Sequence, residues 1–123
     1  NVCPHSKRSA GLECGGLYAR LGLTAEQAKT VDAADSEFNS KSDALCKIMC
    51  ADRLALAELV ETRDAFDADV EKAVSKIAIS QSELEKETAK HVFRIKNLLT
   101  PEQRKKYTGI VCNGLCGKKG SCR

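Results

Sequence analysis

A five-residue phrase that starts a helix occurs twice in this chain, with a long stretch of helical pattern between the copies. Residues 23–27 read LTAEQ and residues 99–103 read LTPEQ. In each copy the threonine can cap the first turn, and the glutamine three residues later can reach back to the N–H of the cap. Pro101 stands at the first helical position, where its missing N–H is no loss. Two helix starts therefore bracket the molecule.

The sequence between and after these starts predicts an all-α fold. Apolar residues recur at three- and four-residue steps, for example Val31, Phe38 and Ile48 on one stretch and Val74 and Ile95 on the next, as on helices with one buried face. The predicted elements are an N-terminal segment at 1–22 with a short helix, hairpin helices at 25–60 and 67–98 joined by a turn at 61–66, a last helix at 101–116 and a tail at 117–123. We expect one domain over 1–123, an antiparallel helical hairpin with the short N-terminal helix and the C-terminal helix packed back on it, which makes a four-helix hooked hairpin.

Composition limits the possible functions. The net charge is only +3 and the basic residues are scattered, so nucleic acid is not an expected partner. No stretch has the roughly 18 apolar residues of a membrane span. Seven cysteines in a chain of 123 residues indicate disulfides and an oxidising compartment, with metal thiolates as the alternative. No nucleophile elbow, phosphate loop or zinc-protease motif is present, so we expect no enzyme.

Two polar residues fall on the inward faces of the hairpin. With the turn near residue 63 or 64, Asp35 and His91 lie at the same height and on facing stripes. One interpretation is a buried, hydrogen-bonded pair. The other is a site for cobalt, nickel, copper or zinc, because carboxylate and imidazole ligate such ions. The N-terminal segment would then add donors, and Cys14 and His5 are the candidates.

The repeated phrase is similar to the L-T-x-x-Q phrase of the CpxP, Spy and ZraP proteins and their heavy-metal-resistance relatives. Residues 91–107, which read HVFRIKNLLTPEQRKKY, resemble the matching run of the CnrX-like periplasmic cobalt and nickel sensors. The similarity extends over about residues 12–115. It implies a helical-hairpin metal sensor, a periplasmic location and a membrane-bound regulator as partner.

The resemblance carries over only part of the sensors' ligand set. The glutamate of that set falls on Asp35, the second-helix histidine on His91 and the first N-terminal histidine on Cys14. The second N-terminal histidine falls on Tyr18 and the methionine on Ile95, which are poor ligands. The predicted metal site is therefore Cys14, Asp35 and His91.

Four of the remaining cysteines suggest two disulfides between helices. Cys46 and Cys50 are one helical turn apart, and so are Cys112 and Cys116. If the last helix runs parallel to the first long one, the pairs come to similar heights, and the spacing predicts Cys46–Cys112 and Cys50–Cys116 disulfides. The alternative is a four-thiolate metal site. The states of the three other cysteines, Cys3, Cys14 and Cys122, stay open.

The function expected from these observations is that of a periplasmic metal sensor or heavy-metal-resistance protein, with any N-terminal targeting segment or anchor removed. The alternative is a chaperone or stress-signalling inhibitor like CpxP and Spy, which needs no metal. We also expect a homodimer, because the closed hairpin leaves Leu54, Val60 and Ile79 on outer faces. The sequence does not identify the membrane-bound regulator.

Overall fold

A computed structural model describes residues 18–116 of the chain. A short 3-10 turn at Tyr18–Leu21 comes first. Three α-helices follow in the described part: α1 at Ala25–Thr62, α2 at Ala68–Lys96 and α3 at Pro101–Cys116. The all-α hairpin is confirmed. Of the predicted N-terminal helix, the described part is the 3-10 turn, and the predicted tail lies outside the described residues.

The helices begin where the sequence signals place them. Thr24 caps α1, its Oγ1 accepting from the N–H of Gln27 while Thr24 N–H donates to Gln27 Oε1. Thr100 and Gln103 repeat this reciprocal pair at the start of α3. Asp67 caps α2 by accepting from the N–H of Val70 at 3.0 Å. These local hydrogen bonds satisfy amide groups that the first turn of a helix leaves unpaired.

The two copies of the repeated phrase bond directly to each other. Gln27 Nε2 donates to Gln103 Oε1 at 2.9 Å and to the carbonyl of Leu98, which precedes the second copy. Gln103 Nε2 donates in return to the carbonyls of Leu21 and Gly22, which precede the first copy. Gly22 has a φ of 66°, a left-handed conformation that glycine adopts without strain. The two amides thus fix the starts of α1 and α3 side by side.

The main core lies at this end of the hairpin, which we call the open end. It joins buried residues of the 3-10 turn, of all three helices and of the connection between α2 and α3: Tyr18, Leu21, Val31, Ala34, Ile95, Leu99 and Tyr107. Towards the turn between α1 and α2, the distal end, those two helices are the only elements of residues 18–116 that pack together. Both Ile48 and Val74, which the periodicity placed inside, are substantially exposed there. A helix presents a narrow stripe to a single partner, and Ile48 lies about 100° around α1 from buried Met49.

Candidate metal centre

The side chains of Asp35 and His91 meet at the open end, as the hairpin register predicts. The distance from His91 Nε2 to Asp35 Oδ1 is 2.9 Å, and both side chains are largely buried. Asp35 belongs to the buried stripe of α1, one turn from Val31, and His91 lies one turn before the fully buried Ile95. The packing of these apolar neighbours therefore sets the height at which the two polar groups face each other.

Tyr18 completes this group, and the sequence reasoning missed its role. Its hydroxyl donates to the same oxygen, Asp35 Oδ1, at 2.9 Å. Its position before a helix start gave no sign that it would reach α1, and the resemblance marked it only as a missing ligand. One carboxylate oxygen thus connects the 3-10 turn to both hairpin helices.

Two atoms of the group are buried without a hydrogen-bond partner in the described part of the chain. They are Asp35 Oδ2 and His91 Nδ1. The imidazole is held flat against Phe38, with ring centroids 4.5 Å apart and planes 12° from parallel. Because a buried polar atom without a partner destabilises the folded state, such atoms in a fixed setting are candidates for binding a ligand.

The residues present fit a metal ion only in part. Carboxylate oxygen and imidazole nitrogen are ligands for zinc, copper, cobalt and nickel, so the two residue types suit a divalent transition metal. Within residues 18–116, however, no three His, Cys, Asp or Glu side chains form a ligand cluster. The predicted third ligand, Cys14, and the further candidate His5 lie outside the described residues.

Charged side chains surround the outer face of His91 and balance one another. Glu37 Oε1 accepts from Arg94 at 2.6 Å, while Glu87 lies within ion-pair distance of Lys41 and Lys90. The hydrogen bond and the charge of Arg94 lower the pKa of Glu37, and the hydrogen bond from Lys90 lowers that of Glu87. These carboxylates are engaged with cations on the rim, and they leave Asp35 as the acidic partner of His91.

The oxidation states of the cysteines do not all match the two predicted disulfides. Cys46 and Cys112 are both disulfide-bonded, but Cys50 carries a free thiol. The predicted Cys50–Cys116 disulfide is therefore wrong. The four-thiolate alternative is wrong as well, because the sulfurs of Cys46 and Cys112 are oxidised. The side chain of Cys116, like Cys3 and Cys122, is outside the described part.

Both cysteines of the other predicted pair, Cys46 and Cys112, are oxidised. The disulfide between these two residues stays a prediction.

No described helix is both long enough and apolar enough to cross a membrane. A search of curated proteins gives no significant match to the chain. The sequence model of a family described as heavy-metal resistance matches residues 3–106. This match covers most of the chain, including both copies of the repeated phrase, Asp35 and His91. The chain therefore belongs to the heavy-metal resistance family.

Proposed function

We propose that this protein is a periplasmic metal sensor or resistance protein that binds a divalent transition metal at the open end of the hairpin. The observation that carries the proposal is the buried pair of Asp35 and His91, whose Oδ1 and Nε2 atoms are 2.9 Å apart. Each residue also has one buried atom without a partner among residues 18–116. Family membership adds an association with heavy metals. We propose no enzymatic activity.

Each residue of the proposed site has a different role in holding the ion. Asp35 supplies a carboxylate oxygen and His91 an imidazole nitrogen, with Phe38 keeping the ring in place. Cys14 is proposed as the N-terminal donor, as a thiolate. Tyr18, bonded to Asp35 Oδ1, positions the carboxylate. A bound divalent ion would supply a positive charge between these donors.

The test is titration of the purified, oxidised chain with Co²⁺ and Ni²⁺, followed by calorimetry and by the visible absorption of cobalt. We expect Asp35→Asn and His91→Ala to weaken binding at least about tenfold, as loss of a ligand does. Glu37→Gln is the matched control, because Glu37 is two residues from Asp35 but pairs with Arg94 on the rim. Affinity should also fall as pH drops through the imidazole range, since the neutral ring ligates.

Unchanged affinity in Asp35→Asn and His91→Ala, with helix content intact, would mean that the pair is structural. If the Cys14→Ser variant binds the metal normally, Cys14 is not a ligand, and the proposed roles of Asp35 and His91 are unaffected. Copper and zinc titrations show which of the four candidate metals the site prefers.

A second candidate function, a periplasmic chaperone like CpxP and Spy, is favoured by the distal apolar residues. These are exposed large side chains on the half of the hairpin away from the core: Ile48, Leu54, Val60, Phe66, Val74 and Ile79. Suppression of client aggregation in the presence of EDTA, lost in a Leu54→Ser/Val60→Ser variant, would support this function over the sensor. Metal binding without suppression of client aggregation would support the sensor.

The same distal apolar residues support the proposed homodimer, because exposed apolar surface of this kind is common at interfaces. Analytical ultracentrifugation at high micromolar concentration tests it directly. A monomer throughout would contradict the dimer without affecting metal binding. The signalling partner proposed for this protein is a membrane-bound regulator.

A further inference from the structure

A second concave surface lies beside the core, and its lining shares no residue with the pocket beside His91. It has a volume of about 470 Å³ and is walled by the 3-10 turn and one face of α3. We call it the basic cleft. Arg20, Lys105 and Lys106 line it together with Leu21, Gly109 and Ile110.

The charge of the basic cleft is unbalanced. No carboxylate lines it, and its three cations form no ion pair with any residue in the described part of the chain. The pocket beside His91 instead mixes Glu37 and Glu87 with its cations. The pocket at the distal turn likewise combines Arg63 with Asp64. Among these concavities, only the basic cleft presents one sign of charge.

The lining of the cleft combines that charge with apolar surface. Leu21 is buried at its wall and Ile110 is half-buried. Gly109 leaves room between them, because a Cβ built there would meet nothing within 4 Å. Cations around an apolar concavity complement a segment that carries both carboxylates and apolar side chains.

We propose that the basic cleft binds an acidic, amphipathic segment of a partner protein. A flat anionic lipid surface would meet the exposed cations but would leave the concave apolar part unfilled, so the shape favours a peptide. This docking goes beyond metal binding and needs no metal. It is close to the candidate metal centre nonetheless, because the turn that carries Arg20 and Leu21 also carries Tyr18, the donor to Asp35.

The position of the turn gives the cleft a defined shape. Tyr18 ties one end of it to α1 through Asp35. Gln103 ties the other end to α3 through the carbonyls of Leu21 and Gly22, at 3.2 and 3.1 Å. The two walls are therefore preorganised, which reduces the entropy lost when a partner segment binds.

The experiment uses the oxidised full chain and a fluorescein-labelled synthetic peptide with glutamate and leucine at helical spacing, read by fluorescence anisotropy. Gly109→Leu fills the cleft without changing charge, and we expect it to weaken binding about tenfold or more. Gly114→Leu is the matched control on the same helix, where a Cβ is equally unobstructed. It should leave the affinity within about twofold.

Charge is tested separately. Lys105→Glu/Lys106→Glu should weaken peptide binding at least as strongly, whereas Lys72→Glu/Lys76→Glu, with the same charge change on the exposed face of α2, should change it little. Equal losses in the two double variants, or no effect of Gly109→Leu, would overturn the proposal. So would binding to phosphatidylglycerol vesicles but not to the peptide. Titration of Gly109→Leu with Co²⁺ measures metal binding separately from peptide binding, so the two proposals can fail independently.

Discussion

The two ends of the hairpin are held together in different ways. At the open end, four elements bury a common core that includes Val31 and Ile95, both with 0% exposure. At the distal end α1 and α2 pair with no third element of the described part of the chain, and side chains such as Val60, Phe66 and Ile79 are exposed. Two helices can bury only one stripe each. A third and a fourth element are needed to enclose polar groups such as Asp35 and His91 in fixed positions.

The largest expected effect comes from removing volume at the open end. Ile95→Ala should lower the free energy of unfolding by about 2–5 kcal/mol, because it leaves a cavity in a core that cannot fully collapse. Ile79→Ala makes the same chemical change on the same helix, where the side chain is 65% exposed. It should cost no more than about 0.5 kcal/mol.

Urea denaturation of both variants measures this contrast. Similar losses of stability would show that the distal half is as well packed in solution as the open end. Self-association through the distal apolar residues would produce such a result, and it would appear as a dependence of the Ile79→Ala effect on protein concentration.

Much of this architecture could be predicted from local sequence signals. Thr24, Asp67 and Thr100 cap helices through bonds that span three residues, so their spacing alone defines the helix starts. The pairing of Asp35 with His91 follows from one further assumption, an antiparallel hairpin with a short turn. Both steps depend on regular geometry that the sequence pattern contains.

Features that depend on how a third element packs could not be predicted in this way. The starts of α1 and α3 are joined by the contact between Gln27 and Gln103, and the spacing of the cysteines did not indicate that Cys50 carries a free thiol. Likewise, the reach of Tyr18 to Asp35 depends on where the 3-10 turn lies. The metal-binding role of Asp35 and His91 stays a prediction.

An intermediate effect is expected where the repeated phrases meet. Gln103→Ala removes an acceptor for the N–H of Thr100 and a donor to the carbonyls of Leu21 and Gly22. We expect a loss of about 1–3 kcal/mol, because partly buried polar groups, including that of Gln27, lose partners. Gln81→Ala on the exposed face of α2 is the control and should be nearly neutral. Equal stabilities would mean that water replaces these bonds and that the core alone joins α3 to the hairpin.

The smallest effect is expected at the distal turn, which is held by exposed charges instead of a core. The N–H of Val70, and then the hydrogen bond from Arg63, lower the pKa of Asp67 below its ordinary value of 3.8. A lowered pKa in the folded state means that the ionised carboxylate stabilises the fold at neutral pH. This contribution is lost as the pH falls from about 3.8 through the lower folded value.

Asp67→Asn keeps an oxygen that can accept from Val70 but removes the charge that faces Arg63 and the start of α2. The variant should therefore be slightly less stable than the parent chain at neutral pH, and the two stabilities should converge in acid. Thermal unfolding between about pH 2 and pH 7 measures this convergence. Asp64→Asn, at the same turn but outside the ion pairs of Arg63 with Asp67 and Asp69, should show no such pH dependence. If the difference in stability between the parent chain and Asp67→Asn is as large at about pH 2 as at about pH 7, Asp67 acts through its shape and not its charge. The distal turn would then be held by fixed local contacts, as the open end is, and not by exposed charges.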